Sequence, residues 1–168
     1  MKPLNLQHIN SVTPYHVYQD SASGYYIFMS CYGVQIAIDF MKDDILTVSD
    51  SYQLSISNAD NKQSPRDINV QKTILAIIYE FFLQNQASLL YICETGDGKQ
   101  VARSRLFHAW FTSFEYAQDF TSITTSLKDE EGVYNSATLI IKNDHPRYKE
   151  VIAEFTDISA LLRNKPTE

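Results

Sequence analysis

The chain has 168 residues, 44% of them hydrophobic, with 14 Lys and Arg against 20 Asp and Glu for a net charge of -6. That length and composition support one domain spanning residues 1–168 with a sizeable core, residues 1–14 and 165–168 being loosely ordered, and exclude a disordered or repetitive chain. A pI near 5.1 argues against nucleic acid as the partner, since backbone phosphates demand clustered positive charge. No run approaches the roughly 20 apolar residues of a membrane span, and the opening MKPLNLQHINSVTPY lacks a signal-peptide core, so the expected location is cytoplasmic.

Tyr15 to Asp20 and Tyr25 to Tyr32 read as a hairpin closed by Ser21-Ala22-Ser23-Gly24, and Val34 to Phe40 extends it after Gly33. A short strand at Ile45 to Val48 and a further strand at Tyr52 to Ser57 complete an antiparallel opening third. Ser64-Pro65-Arg66-Asp67 is a helix start with Ser at the N-cap. From Val70 to Leu83 this helix is apolar except for a narrow stripe of Lys72, Thr73, Glu80 and Gln84, which predicts burial against the sheet.

Leu89 to Cys93 is almost continuously apolar, as suits a central strand covered on both faces. Glu94-Thr95-Gly96-Asp97-Gly98 breaks it, and Asp97 with Gln100 offers a capping box for a helix beginning near Gly98 or Lys99. Ala102, Leu106, Phe107, Ala109, Trp110, Phe111 and Phe114 would cover about half of its circumference at 100° per residue. Arg103 projects from the middle of that arc, Lys99 lies one turn earlier, and Arg105 and His108 fall near the polar side. Thr121 to Lys128 and Val133 to Lys142 form a second hairpin around an acidic turn, Asp129-Glu130-Glu131-Gly132. A last amphipathic helix starts at Asp144 to Pro146 and runs to about Arg163.

The chemistry concentrates between Ser88 and Phe114. A guanidinium within an apolar face demands an anion, because an unpaired buried charge costs several kcal/mol. Two readings stand: a structural one, in which Arg103 pairs with Glu94 or Asp97 or snorkels to water past Trp110, and a phosphate or carboxylate ligand held by Lys99, Arg103 and the first-turn N–H groups, with Arg105, Asp97 and Trp110 as further candidates. Cys31 and Cys93 read as reduced, buried residues of apolar strands, and the four histidines form no ligand pattern, so no metal is expected.

The elements thus give an α+β fold with a single mixed, largely antiparallel sheet and about three helices. Their order, with Arg105-Leu106-Phe107 in the second helix after an apolar strand, resembles that of the GCN5-related N-acetyltransferases. That resemblance implies acetyl-CoA as a cofactor, its pyrophosphate on the helix after the fourth strand, and a general base for which Glu94 is the candidate. The stretch Asn58 to Asp67 departs from the family's glycine-bearing pyrophosphate loop, which implies a degenerate relative with neither catalytic motif nor cofactor. The string Cys93 to Gln100 with Arg103, Arg105-Leu106-Phe107 and Trp110-Phe111 also resembles an uncharacterised bacterial domain of unknown function. A third expectation is a non-enzymatic interaction or regulatory module, with a homo-oligomer or protein partner held through the tyrosine-rich strands around Tyr15, Tyr18, Tyr25, Tyr26 and Tyr32.

Overall fold

The computed structural model describes residues 1–93, 98–128 and 131–163. In chain order its elements are α1 (Leu6–Val12), β1 (Tyr18–Gln19), β2 (Tyr26–Met29), β3 (Gln35–Lys42), β4 (Ser51–Asn58), α2 (Ile68–Gln84), β5 (Ser88–Cys93), α3 (Gln100–Thr112), β6 (Phe120–Lys128), β7 (Tyr134–Lys142) and α4 (Tyr148–Arg163), with a 3-10 turn at Ala117–Asp119. The strands form one seven-stranded mixed sheet in the order β1-β2-β3-β4-β5-β7-β6, so the class is α+β as expected, with α1 added to the three helices read from sequence. Packing divides the chain into two compact units, Met1–Met41 with Leu54–Gln86, and Lys42–Gln53 with Ala87–Glu168.

In the first unit, β2 and β3 pair antiparallel with Tyr26 opposite Ile38 and Phe28 opposite Ile36. Strand alternation puts these residues and Phe40 on one face, where Phe40 stacks on Phe81 of α2 with ring centroids 4.8 Å apart. Ile74, Ile77, Ile78 and Phe81 bury the inner side of α2. The polar stripe predicted for that helix is dry at two of its four positions: Thr73 and Glu80 are buried. Thr73 donates its hydroxyl to Asn69 O, and Glu80 receives α1, the element that sequence reading did not place. Helix α1 is short because one buried residue, Ile9, anchors it, and Asn5 caps it by accepting the His8 N–H at 3.0 Å.

Three boundaries shift for identifiable reasons. The α2 N-cap is Asp67 rather than Ser64, whose hydroxyl instead donates to Pro65 O. Only Tyr18 and Gln19 pair in the first strand. Cys31 is exposed, not buried, because Ser30 to Gly33 is a turn closed by the Gly33 N–H on Ser30 O, with Gly33 at φ 70.

In the second unit β7 lies between β5 and β6, with Leu90 and Ile123 on either side of Leu139. Odd-numbered residues of β7 face α4: Leu139 and Ile141 join Leu46, Leu90, Val151 and Phe155 in a buried cluster. Even-numbered ones face α3, where the Ser136 and Ser104 hydroxyls meet at 2.8 Å.

The strand predicted at Ile45 to Val48 is absent, because side chains satisfy this backbone instead of a ladder. Asp43 accepts the Leu46 N–H at 2.9 Å, and Glu154 of α4 accepts the Thr47 N–H, the Thr47 hydroxyl and the Val48 N–H at 2.8, 2.8 and 3.2 Å. Desolvation alone would raise the Glu154 carboxyl, but these donors together hold it below its ordinary value. A carboxylate depressed by folding contributes stability above its unfolded pKa, and that contribution is lost as pH falls through the folded pKa. Glu154→Gln should therefore show its full deficit in thermal melting at pH 7 and a progressively smaller one at a pH below the ordinary glutamate value of about 4.3. An equal deficit at both pH values would mean that charge plays no part in holding this loop.

Candidate functional site

Helix α3 buries a narrower stripe than its composition promised. Phe107 and Phe111 are buried, and Gln100, Arg103, Ser104, Trp110 and Phe114 are half-buried on the same side, whereas Ala102, Leu106 and Ala109 are exposed. The inward positions recur at intervals of three and four, as in a helix resting on two strands. Arg103 therefore lies on the inward stripe, as its spacing predicted, while Lys99 and Arg105 are exposed. Lys99 is the N-cap and makes no side-chain capping bond, and the capping box read from Asp97 lies outside the described residues. Glu94 and Asp97, the candidate anions, lie outside the described residues, as do Asp129 and Glu130 of the acidic turn.

Opposite Arg103 lies β5. Tyr91 and Cys93, two residues apart, share the face toward α3, and the Tyr91 ring packs against Phe107 with centroids 4.3 Å apart. Burial raises the Tyr91 phenol well above its ordinary value, and its hydrogen bond to Cys93 adds to the rise. Burial raises the Cys93 thiol as well. The Arg103 charge works in the opposite direction on both, favouring their anionic forms. Toward β6 the same face is lined by hydroxyls: Ser104 meets Ser136, and Thr124 meets Thr138 at 2.9 Å. The arrangement is thus a cation over two weak acids beside a hydroxyl ladder. It is suited to holding an anionic or hydrogen-bonding group, while a buried thiol with a raised pKa is a poor nucleophile at neutral pH.

Two further clusters bring together residues far apart in sequence. At the α2 N-terminus, Asp67 accepts the Asn69 N–H at 2.8 Å and the Tyr15 hydroxyl at 2.5 Å, and the Tyr15 oxygen accepts the Cys31 N–H at 3.1 Å. The hydrogen bond to Asp67 is the chief cause that pushes the Tyr15 phenol up to about 12. In the second unit Ser49 Oγ stands 3.3 Å from His145 Nε2, a pairing that invites a nucleophile and base reading. However, the Arg147 N–H donates to His145 Nδ1 at 3.1 Å, which makes Nδ1 the acceptor and leaves the proton on Nε2. A base must receive the serine proton on Nε2, so this histidine supports the loop and does not activate Ser49.

Sequence reasoning found Arg103 but not the pairs around it. The alternation of Tyr91 and Cys93 along one strand was the available signal; Tyr15 with Asp67 and Ser49 with His145 had none, being brought together by the fold. Among the described residues no three His, Cys, Asp or Glu side chains group as a metal site, and no helix is long and apolar enough to cross a membrane.

No curated protein and no solved structure matches the chain. A model described as a family of unknown function (DUF6169) matches residues 66–157, from the start of α2 through most of α4. The segment includes β5, α3 and the hydroxyl-lined hairpin, and by this match over more than half of its length the chain belongs to that family of unknown function.

Proposed function

We propose that the protein is a non-enzymatic interaction or regulatory module, built on an acyltransferase-like order of elements that no longer serves acyl-CoA. The observation that carries this reading is Asp67. A diphosphate bound at a helix start needs free N–H groups and the positive end of the helix dipole. At α2 that position is taken by the chain's own carboxylate, bonded to Asn69 N–H and to Tyr15. A second anion there would meet like charge. The preceding stretch, Asn58 to Arg66, offers no glycine for close backbone approach.

A contact surface is available in the first unit. Tyr18 lies opposite Ile27 and Ile27 opposite Ala37, on the sheet face away from Tyr26 and Phe40. On that face Tyr18, Met29 and Met41 are 44%, 54% and 51% exposed. Tyrosine and methionine are residues that interfaces favour. An unpaired, exposed Cys31 fits a reducing, cytoplasmic setting.

A second reading, an anion bound beside Lys99 and Arg103, draws on the inward position of Arg103 near Tyr91 and Cys93. One set of calorimetric titrations tests both. Acetyl-CoA and CoA at about 1 mM should give no saturable heat, since a complex weaker than that carries under about 4 kcal/mol. Saturable binding with acyl transfer to an amine would restore the active N-acyltransferase reading and sink ours. Inorganic phosphate binding that Arg103→Ala abolishes would establish the anion site.

A further inference from the structure

Strand β6 ends the sheet, and among the described residues no strand pairs with its outer edge. Its direction of hydrogen bonding can be read from one bond. The Asn143 N–H donates to Asp119 O at 2.9 Å, and these residues continue the register that pairs Phe120 with Lys142. In an antiparallel pair bonded and non-bonded positions alternate, so Thr121, Ile123 and Thr125 point their backbone groups at β7. Ser122, Thr124 and Ser126 point theirs outward.

Among the described residues that edge lacks three of the protections sheet edges ordinarily carry: a bulge, a proline and a charge within the strand. Its register with β7 runs unbroken over nine residue pairs without a bulge, and the sequence FTSITTSLK contains no proline and no charge before its last residue. Thr124 and Ser126 are exposed. Beyond the strand, Asp119 immediately precedes its first residue, and Lys128 is its last.

We propose that this edge pairs with the same edge of a second copy of the chain, antiparallel about a twofold axis through Thr124. The occupant follows from self-complementarity. With Thr124 opposite Thr124, Ser122 falls opposite Ser126 and each outward N–H meets an outward C=O. The hydroxyl side chains of these residues share one face, where Thr and Ser pairs across strands are favourable. The twofold also sets the basic end of one strand beside the acidic residue preceding the other, whereas a parallel arrangement would align like with like. An isologous contact of this kind closes on itself and stops at the dimer. The proposal deepens the interaction-module reading and uses a surface distinct from the Tyr18 and Met29 face.

Sedimentation velocity on the full chain from about 10 µM to 1 mM tests it. A concentration-dependent dimer is expected. Thr124→Lys places two ammonium groups against each other on the axis while leaving the β7-facing backbone bonds untouched, and should raise the dimer dissociation constant about tenfold or more. Combining Ser122→Lys with Ser126→Glu, its partner across the axis, sets opposite charges against each other twice and should tighten the dimer. Far-UV circular dichroism of each variant verifies the fold. A wild type that stays monomeric at 1 mM overturns the proposal, and so does a dimer indifferent to Thr124→Lys. The second result would leave the interaction-module reading standing, because titrations with acetyl-CoA decide that separately.

Discussion

Glu80→Ala is expected to destabilise the first unit by about 3 kcal/mol in urea unfolding, because it removes a carboxylate on which three donors converge inside the protein. Glu80 is 1% exposed. Its Oε2 lies 2.5 Å from His8 Nδ1, while Oε1 accepts from Gln84 Nε2 at 2.8 Å and from the Asn5 N–H at 3.3 Å. Asn5 is the N-cap of α1 and His8 lies in its first turn, so the carboxylate is the polar half of the contact that docks α1 on α2. Alanine would leave the Asn5 N–H without its acceptor and open a void where the buried carboxylate stood. Glu80→Gln keeps an acceptor oxygen and should cost less, about 1–2 kcal/mol. Hydrogen exchange at the Ile9 and Thr13 amides, which bond within α1, should accelerate in step with the loss of stability. A cost below about 0.5 kcal/mol for alanine would show that Ile9 alone docks the helix.

Glu80 also shows where sequence reading reaches its limit. Its spacing on α2 placed it correctly on the less apolar side, and polar residues on such a side ordinarily face water. Seven residues of α1 cover it instead, and a helix so short, with one buried side chain, leaves too weak a periodic trace to read. Longer elements were legible. The β6 and β7 hairpin falls where alternation puts it, and α4 runs to Arg163, the last described residue. On α3 the spacing located Arg103 on the inward side but overcounted the apolar arc, because Ala102, Leu106 and Ala109 are apolar without being covered. Asp67 could be recognised locally as the last residue of the helix-start signal Ser64-Pro65-Arg66-Asp67. Its role as a cap closed by Tyr15, 52 residues earlier, depends on tertiary packing that no local pattern encodes.

The second large effect is expected at Leu139, and it contrasts the two faces of β7. Leu139 is fully buried between Leu90 and Ile123 on the adjacent strands and beneath α4, so Leu139→Ala should cost about 3–4 kcal/mol through lost transfer energy and the remaining cavity. Its neighbour Thr138 points to the α3 face and shares a hydroxyl hydrogen bond with Thr124. Thr138→Val keeps the volume and should cost only about 1 kcal/mol. Equal costs at the two positions would mean that the α3 face is as dry and tightly packed as the α4 face. A difference of the expected size divides the labour of the strand: the α4 face holds the second unit together, which frees the α3 face to carry Arg103, Tyr91 and the serine and threonine hydroxyls. A face whose polar groups contribute little to stability can change its side chains at little cost to the fold. The same reasoning makes substitutions on the α3 face the informative ones for binding, since their effect on a partner or ligand can be measured in a protein that still folds.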